Sequence, residues 1–193
     1  MKVLSFIIIA ILLTSCGKNS DPFLIDTNRV GTLTKEIRIN QLDSIYKNDS
    51  IVRNTSNNQF LNVVNDIEIY DRDGSPLLIL QPVQQFDSTS TIGYIQILDP
   101  KFQTAKGLNL KSTFGDVVEK YAISRIENTL NSAVVFIDEL NLYLTIDKKE
   151  LPSSLRYDTD SRITASQIPD NAKIKYFMIS WYLILMLQKK NVE

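Results

Sequence analysis

Ser44-Ile45-Tyr46-Lys47 has the S-x-x-K spacing of serine nucleophiles activated by lysine, because a helix sets residues three apart one turn from each other. The spacing alone is weak evidence. Serine and lysine are both common in this chain, one such pair is expected by chance, and no S-D-N or K-T-G companion occurs. A solvated helix face beside Leu42 and Ile45 is the favoured alternative. Asp71-Arg72-Asp73-Gly74 sets two carboxylates at alternate positions before a glycine, as a calcium loop begins. Ser75-Pro76 and an apolar run follow where further oxygen ligands are needed, so a hairpin turn with Gly74 at positive φ is the better reading. Asp158-Thr159-Asp160-Ser161 is a second acidic loop, and loop carboxylates are ordinarily solvated. Glu68, Asp138 and Glu139 are expected on a polar strand face and in a turn, with no sign of two acids flanking a cleft as glycoside cleavage requires. The chain has no histidine, and Cys16 is its single cysteine. That removes Ser-His-Asp and Cys-His catalysis, histidine-ligated haem, ordinary zinc sites and disulfides. No catalytic residue, metal or cofactor is expected.

Covalent chemistry is expected at Cys16 alone. Lys2 precedes the apolar run Phe6 to Leu13, and Thr14-Ser15-Cys16 follows, giving the n-region and h-region of a secretory signal. Leu13-Thr14-Ser15-Cys16 resembles a bacterial lipobox. The resemblance implies a lipoprotein signal peptide over residues 1–15, cleavage before Cys16 and acylation of its thiol. As an uncleaved anchor the run is too short, since about 20 apolar residues are needed to span a bilayer. Residues 16–29, with Gly17-Lys18-Asn19-Ser20-Asp21-Pro22 at their start, read as a tether. By the sorting signals of other bacterial lipoproteins, Gly17 in place of an acidic residue implies the outer membrane, facing either side. The formal net charge of −1 excludes a strongly basic nucleic-acid binder. It also offers no polybasic patch for lipid headgroups, so membrane contact is expected through the acyl chains on Cys16.

The rest is large enough to bury a core. A helix is expected from Asn40 through Lys47, with Leu42, Ile45 and Tyr46 on one face. Asp66 to Tyr70 alternates, Asp71 to Gly74 turns and Leu77 to Leu80 is apolar, which predicts a β-hairpin followed by a strand over Ile92 to Leu98. Ser112-Thr113 predicts the cap of a helix carrying Phe114, Val117, Val118 and Tyr121. Strands are expected over Ala122 to Glu127, Ala133 to Ile137, Leu142 to Ile146 and Ile174 to Trp181. Asp147 and Glu150 have capping-box spacing for a short helix ending near Arg156. Phe114, Tyr121, Phe136 and Phe177 sit on periodic apolar faces and are expected in the core. Two readings of the apolar run Tyr176 to Leu187 stand: a buried final strand with a short continuation, which is favoured, or a surface that docks on a membrane or partner. The expected fold is α+β, mainly antiparallel sheet with two or three short helices on one face. It occupies one domain over residues 30–182, with a tail over 183–193. Gly31 to Tyr46 and Gly107 to Tyr121 share an order of glycine, apolar segment, cap and helix. The halves 31–98 and 107–182 are therefore either a duplication or a chance likeness of short β-α-β units.

Val30-Gly31-Thr32-Leu33, Leu77 to Leu80, and Gly107-Leu-Asn-Leu-Lys-Ser-Thr-Phe114-Gly-Asp-Val117 with Tyr121 resemble bacterial envelope lipoproteins of unknown function, specifically the RpoE-regulated lipoprotein family (domain of unknown function 1131). The resemblance implies an envelope location and a maintenance role, and carries over no catalytic residue. The expectation is a lipid-anchored, non-enzymatic binding or assembly-support module with an envelope protein as partner. The alternative is a carboxylate-based or Ser44/Lys47 hydrolase acting on envelope glycan or peptide.

Overall fold

The computed structural model describes residues 21–54 and 66–182. Three short strands come first, β1 (Leu24–Asp26), β2 (Arg29–Val30) and β3 (Leu33–Thr34). A one-turn helix α1 (Leu42–Ile45) leads to β4 (Ser50–Asn54), β5 (Asp66–Tyr70), β6 (Pro76–Pro82) and β7 (Ile92–Ile97). Strand β8 (Gln103–Thr104) and helix α2 (Phe114–Lys120) lead to β9 (Arg125–Asn128), β10 (Ser132–Ile137) and β11 (Leu142–Asp147). Helix α3 (Ser153–Arg156) precedes β12 (Ile174–Ser180). The fold is α+β: an eight-stranded antiparallel sheet ordered β4-β5-β6-β7-β12-β11-β10-β9, and a small sheet ordered β3-β2-β1-β8.

Alternation fixes which face of the large sheet is buried. Ile67, Ile69, Leu78, Leu80, Ile95, Ile97, Val135, Leu144 and Phe177 are all at most 1% exposed and point to one side. They join Leu42 of α1, Phe114 and Val117 of α2, and Ile25, Val30 and Leu33 of the small sheet in a continuous core. Thr113 caps α2 in a capping box with Asp116, whose carboxylate accepts the Thr113 N–H at 2.7 Å. On the opposite face most side chains are only partly buried, and Val52 and Tyr176 are exposed.

The two meanders β4–β7 and β9–β12 follow the same path. Leu78 and Leu80 pair with Ile97 and Ile95, just as Leu142 and Leu144 pair with Ile179 and Phe177. A bulge falls at Gln81/Pro82 in one half and at the matching Thr145/Ile146 in the other. The residue before each helical segment bridges to the residue before the last strand, Arg38 to Thr91 and Thr113 to Lys173. Ile39 N–H donates to Ser90 O at 3.0 Å, and Phe114 N–H to Ala172 O at 2.9 Å. The halves meet at β7 and β12, where Phe177 faces Ile97, Met178 faces Gln96 and Ile179 faces Ile95. Exchanging the halves maps this register onto itself, with Gln96 and Met178 at the centre.

Several local expectations are corrected. The first meander has a fourth strand that was not expected, because Ser50–Asn54 pairs with β5. Folded structure begins before residue 30: Leu24–Asp26 pairs with β2 and β8, so the expected tether over 16–29 ends short of Leu24. The helix expected from Asn40 to Lys47 is a 3₁₀ turn, Ile39–Gln41, running into α1. Asp147 caps only the 3₁₀ turn Lys148–Glu150, and Leu151-Pro152 separates that turn from α3. Val118 of α2 is 49% exposed and leaves the expected apolar face. The run from Tyr176 is strand through Ser180, with Phe177, Ile179 and Trp181 buried, and its portion beyond Tyr182 lies outside the described residues.

Candidate functional site: a groove on the open face of the sheet

Phe136 lies between core residues Val135 and Ile137, so strand alternation turns its ring to the open face. It is not a core residue as expected. Its ladder partner Tyr143 stacks on it with centroids 5.8 Å apart and planes at 27°. The Arg125 guanidinium covers the other side of Phe136 at 3.5 Å from the ring centroid, a cation–π geometry. Two carboxylates hold that guanidinium. Glu127 accepts from Arg125 Nε at 3.0 Å and Asp138 accepts from Nη1 at 3.5 Å. Asp138 is placed by its own N–H, which donates to Ser124 Oγ at 3.0 Å. Asn141 turns the chain into β11 in the left-handed region at φ 55°, and its side-chain amide donates to Thr27 O at 3.0 Å.

Tyr94 of β7 closes the opposite wall and contacts the Tyr182 ring at 6.1 Å. Between these walls lies a groove of about 520 Å³, the size of a small-ligand or side-chain pocket. Burial, and secondarily Tyr94, pushes the Tyr143 phenol up to about 12, so it remains a neutral hydrogen-bonding group at physiological pH. The groove offers an aromatic floor and a charged rim whose guanidinium is already neutralised. That combination suits binding of an apolar or planar group with a polar edge.

The matching positions of the other half build a different surface. Glu68 stands where Phe136 does and accepts hydrogen bonds from Tyr70 OH and, at 2.6 Å, from Asn54 Nδ2. That bond from Tyr70 is the main reason its phenol titrates above the usual tyrosine range. Asp66 is raised by burial, partly offset by the Gln81 side chain and increased by Glu68. The hollow beside it is about 30 Å³, room for water but not for substrate.

The structure scatters the residues singled out for catalysis. Ser44 and Lys47 are both exposed, and no hydrogen bond joins them among the described residues. Asp71 Oδ1 accepts from the N–H groups of Asp73 and Ser75 at 3.0 and 2.9 Å, a closed turn that lowers its pKa. Asp158 Oδ1 likewise accepts from Asp160 and Ser161, at 2.9 Å each. Among the described residues no three acidic, cysteine or histidine side chains converge as metal ligands. Leu13, Thr14, Ser15 and Cys16 lie outside the described residues. No family model and no curated protein matches the chain. Among solved structures it is similar to the uncharacterized protein yfeY from Escherichia coli, with 17% identity and a TM-score of 0.51 over 81% of this chain and 98% of that one. The likeness is one of fold, shared with a bacterial protein, and assigns no residue a role.

Proposed function

We propose that this protein is a lipid-anchored module of the bacterial outer membrane, held by acyl chains on Cys16, that binds an envelope partner and catalyses no reaction. The resemblance to the RpoE-regulated lipoproteins belongs to this proposal. The observation that carries the binding role is the groove of about 520 Å³ floored by Phe136 and Tyr143 on an open sheet face. Exposed apolar surface of this kind ordinarily marks a contact site. The non-catalytic reading is supported by the exposed, unjoined Ser44 and Lys47, and by Glu127 and Asp138, both spent on Arg125 rather than facing each other.

Cys16→Ser moves the protein from the detergent-soluble membrane fraction to the soluble one; unchanged fractionation refutes anchoring. For the binding role, a photo-crosslinker in place of Tyr143 captures an envelope protein in living cells, while one in place of Val52, on the other half of the same face, captures it less. No capture above background at Tyr143 sinks the groove as the contact site.

A further inference from the structure

Lys148, Lys149, Arg156 and Lys175 are spread over 28 residues of sequence and meet in space beyond the β9–β10 turn. They line a cavity of about 600 Å³ whose single carboxylate among the described residues is Asp147. That carboxylate is already shared, with Lys175 Nζ at 3.0 Å and Lys149 Nζ at 3.8 Å. Lys148 is only 4% exposed, and its ammonium donates to the backbone carbonyl of Asp158 at 2.5 Å. Among the described residues no carboxylate lies within 4 Å of it, because the Asp158 side chain turns back on its own loop. Arg156 spends Nε on Leu151 O at 2.9 Å and makes no ion pair among the described residues. A buried ammonium that holds only a carbonyl has donors to spare and no carboxylate at ion-pair distance, the Asp158 charge reaching it only from farther off. An oxyanion would supply both acceptors and a close charge.

The rim tells which oxyanion. Leu130 is 74% exposed and Tyr157 is 91% exposed, and both border the cations. The Tyr157 loop is pinned, since Asn128 Nδ2 donates to Asp158 O at 3.1 Å and Ser161 O at 2.8 Å. An apolar side chain and a tyrosine projecting beside clustered cations match a bilayer interface, where phosphates lie level with aromatic rings and apolar groups enter below. We propose that this cavity binds the phosphate of an anionic lipid headgroup and lays this end of the sheet on the membrane surface, with Leu130 and Tyr157 entering the interface. This contact is separate from acylation and from the groove.

The test uses unacylated Cys16→Ser protein and vesicle flotation. The protein floats with vesicles containing about 30% phosphatidylglycerol and stays behind with phosphatidylcholine alone. Binding falls at least tenfold between ionic strengths of about 0.01 and 0.15 M. Lys149→Gln with Lys175→Gln weakens it about thirtyfold, near fivefold for each lost charge. Tyr157→Ser weakens vesicle binding but not competition by inorganic phosphate. Equal flotation with both vesicles overturns the proposal, as does indifference to the double substitution. Capture of inorganic phosphate without flotation also overturns it, in favour of a soluble anion. Because the protein carries no acyl chain, these outcomes are independent of whether Cys16 anchors the native protein.

Discussion

Phe136 and Phe177 carry the same side chain on opposite faces of one sheet, two strands apart. Phe177 is fully buried, so Phe177→Ala removes a packed ring and leaves a cavity at a cost of about 3–5 kcal/mol. Phe136 is half-buried beneath Arg125, and Phe136→Ala is expected to cost about 1 kcal/mol, the size of its ring contacts. Denaturant melts check the pair, and comparable losses would place Phe136 in the core. Two tyrosines add a pH dependence. Burial pushes Tyr46 and Tyr143 up to about 12, above the value near 10 of an unfolded chain. The folded state therefore holds phenolic protons that the unfolded state releases. Their contribution is complete below about pH 10 and is lost as pH rises toward 12. The unfolding midpoint is expected to drop over that window, and Tyr143→Phe to shallow the drop. An unchanged slope in that variant would mean that the Tyr143 phenol is solvated.

At the scale of elements, Gly31 shows how a turn is fixed by space as well as by backbone angle. Its φ is +58°, and a Cβ there would stand 2.3 Å from Pro22 O and 2.9 Å from Phe102 Cε1. Gly31→Ala meets both obstacles and is expected to destabilise by about 3 kcal/mol. Gly74 has φ +79° with open space around it, so Gly74→Ala carries only the backbone term, about 1 kcal/mol. Thermal melts that rank the two the other way would refute the close packing of the Pro22 segment. What sequence made legible follows the same division between local and distant causes. The β5–β6 and β10–β11 hairpins and α2 announce themselves through alternation, turn residues and caps, all local. Strands of two or three residues, such as β2, β3 and β8, have no period to detect and exist only because a partner pairs with them. In β10 the run Ala133-Val134-Val135-Phe136-Ile137 is apolar on both faces, which hides that Phe136 belongs to the groove. The parity of Val135 and Ile137 was the signal that could have placed it. The cations around Lys148 had no sequence signal, since their cluster is made by the pairing of β11 with β12.

At the scale of the whole molecule, the repeated order beginning at Gly31 and at Gly107 becomes a matched pair of meanders joined at one seam. Each half alone would expose the long edge of β7 or β12, with apolar residues on its inner face and unpaired backbone along its length. Each would also have only about 70 residues from which to build a core, a marginal size. The seam residues Ile95, Ile97, Phe177 and Ile179 are at most 1% exposed, and Ile97 pairs with Leu78 in one half and with Phe177 in the other. The halves are therefore expected to unfold as one cooperative unit, with a single transition seen by every probe. Ile97→Ala tests this at the point where both halves meet, and is expected to remove about 3 kcal/mol. Hydrogen exchange should then accelerate by a similar factor in β5 and in β10, although β10 contains no residue paired with Ile97. Loss of protection confined to β4–β7, with β9–β12 unchanged, would show two independently stable halves and would make the seam an interface between domains rather than the centre of one sheet.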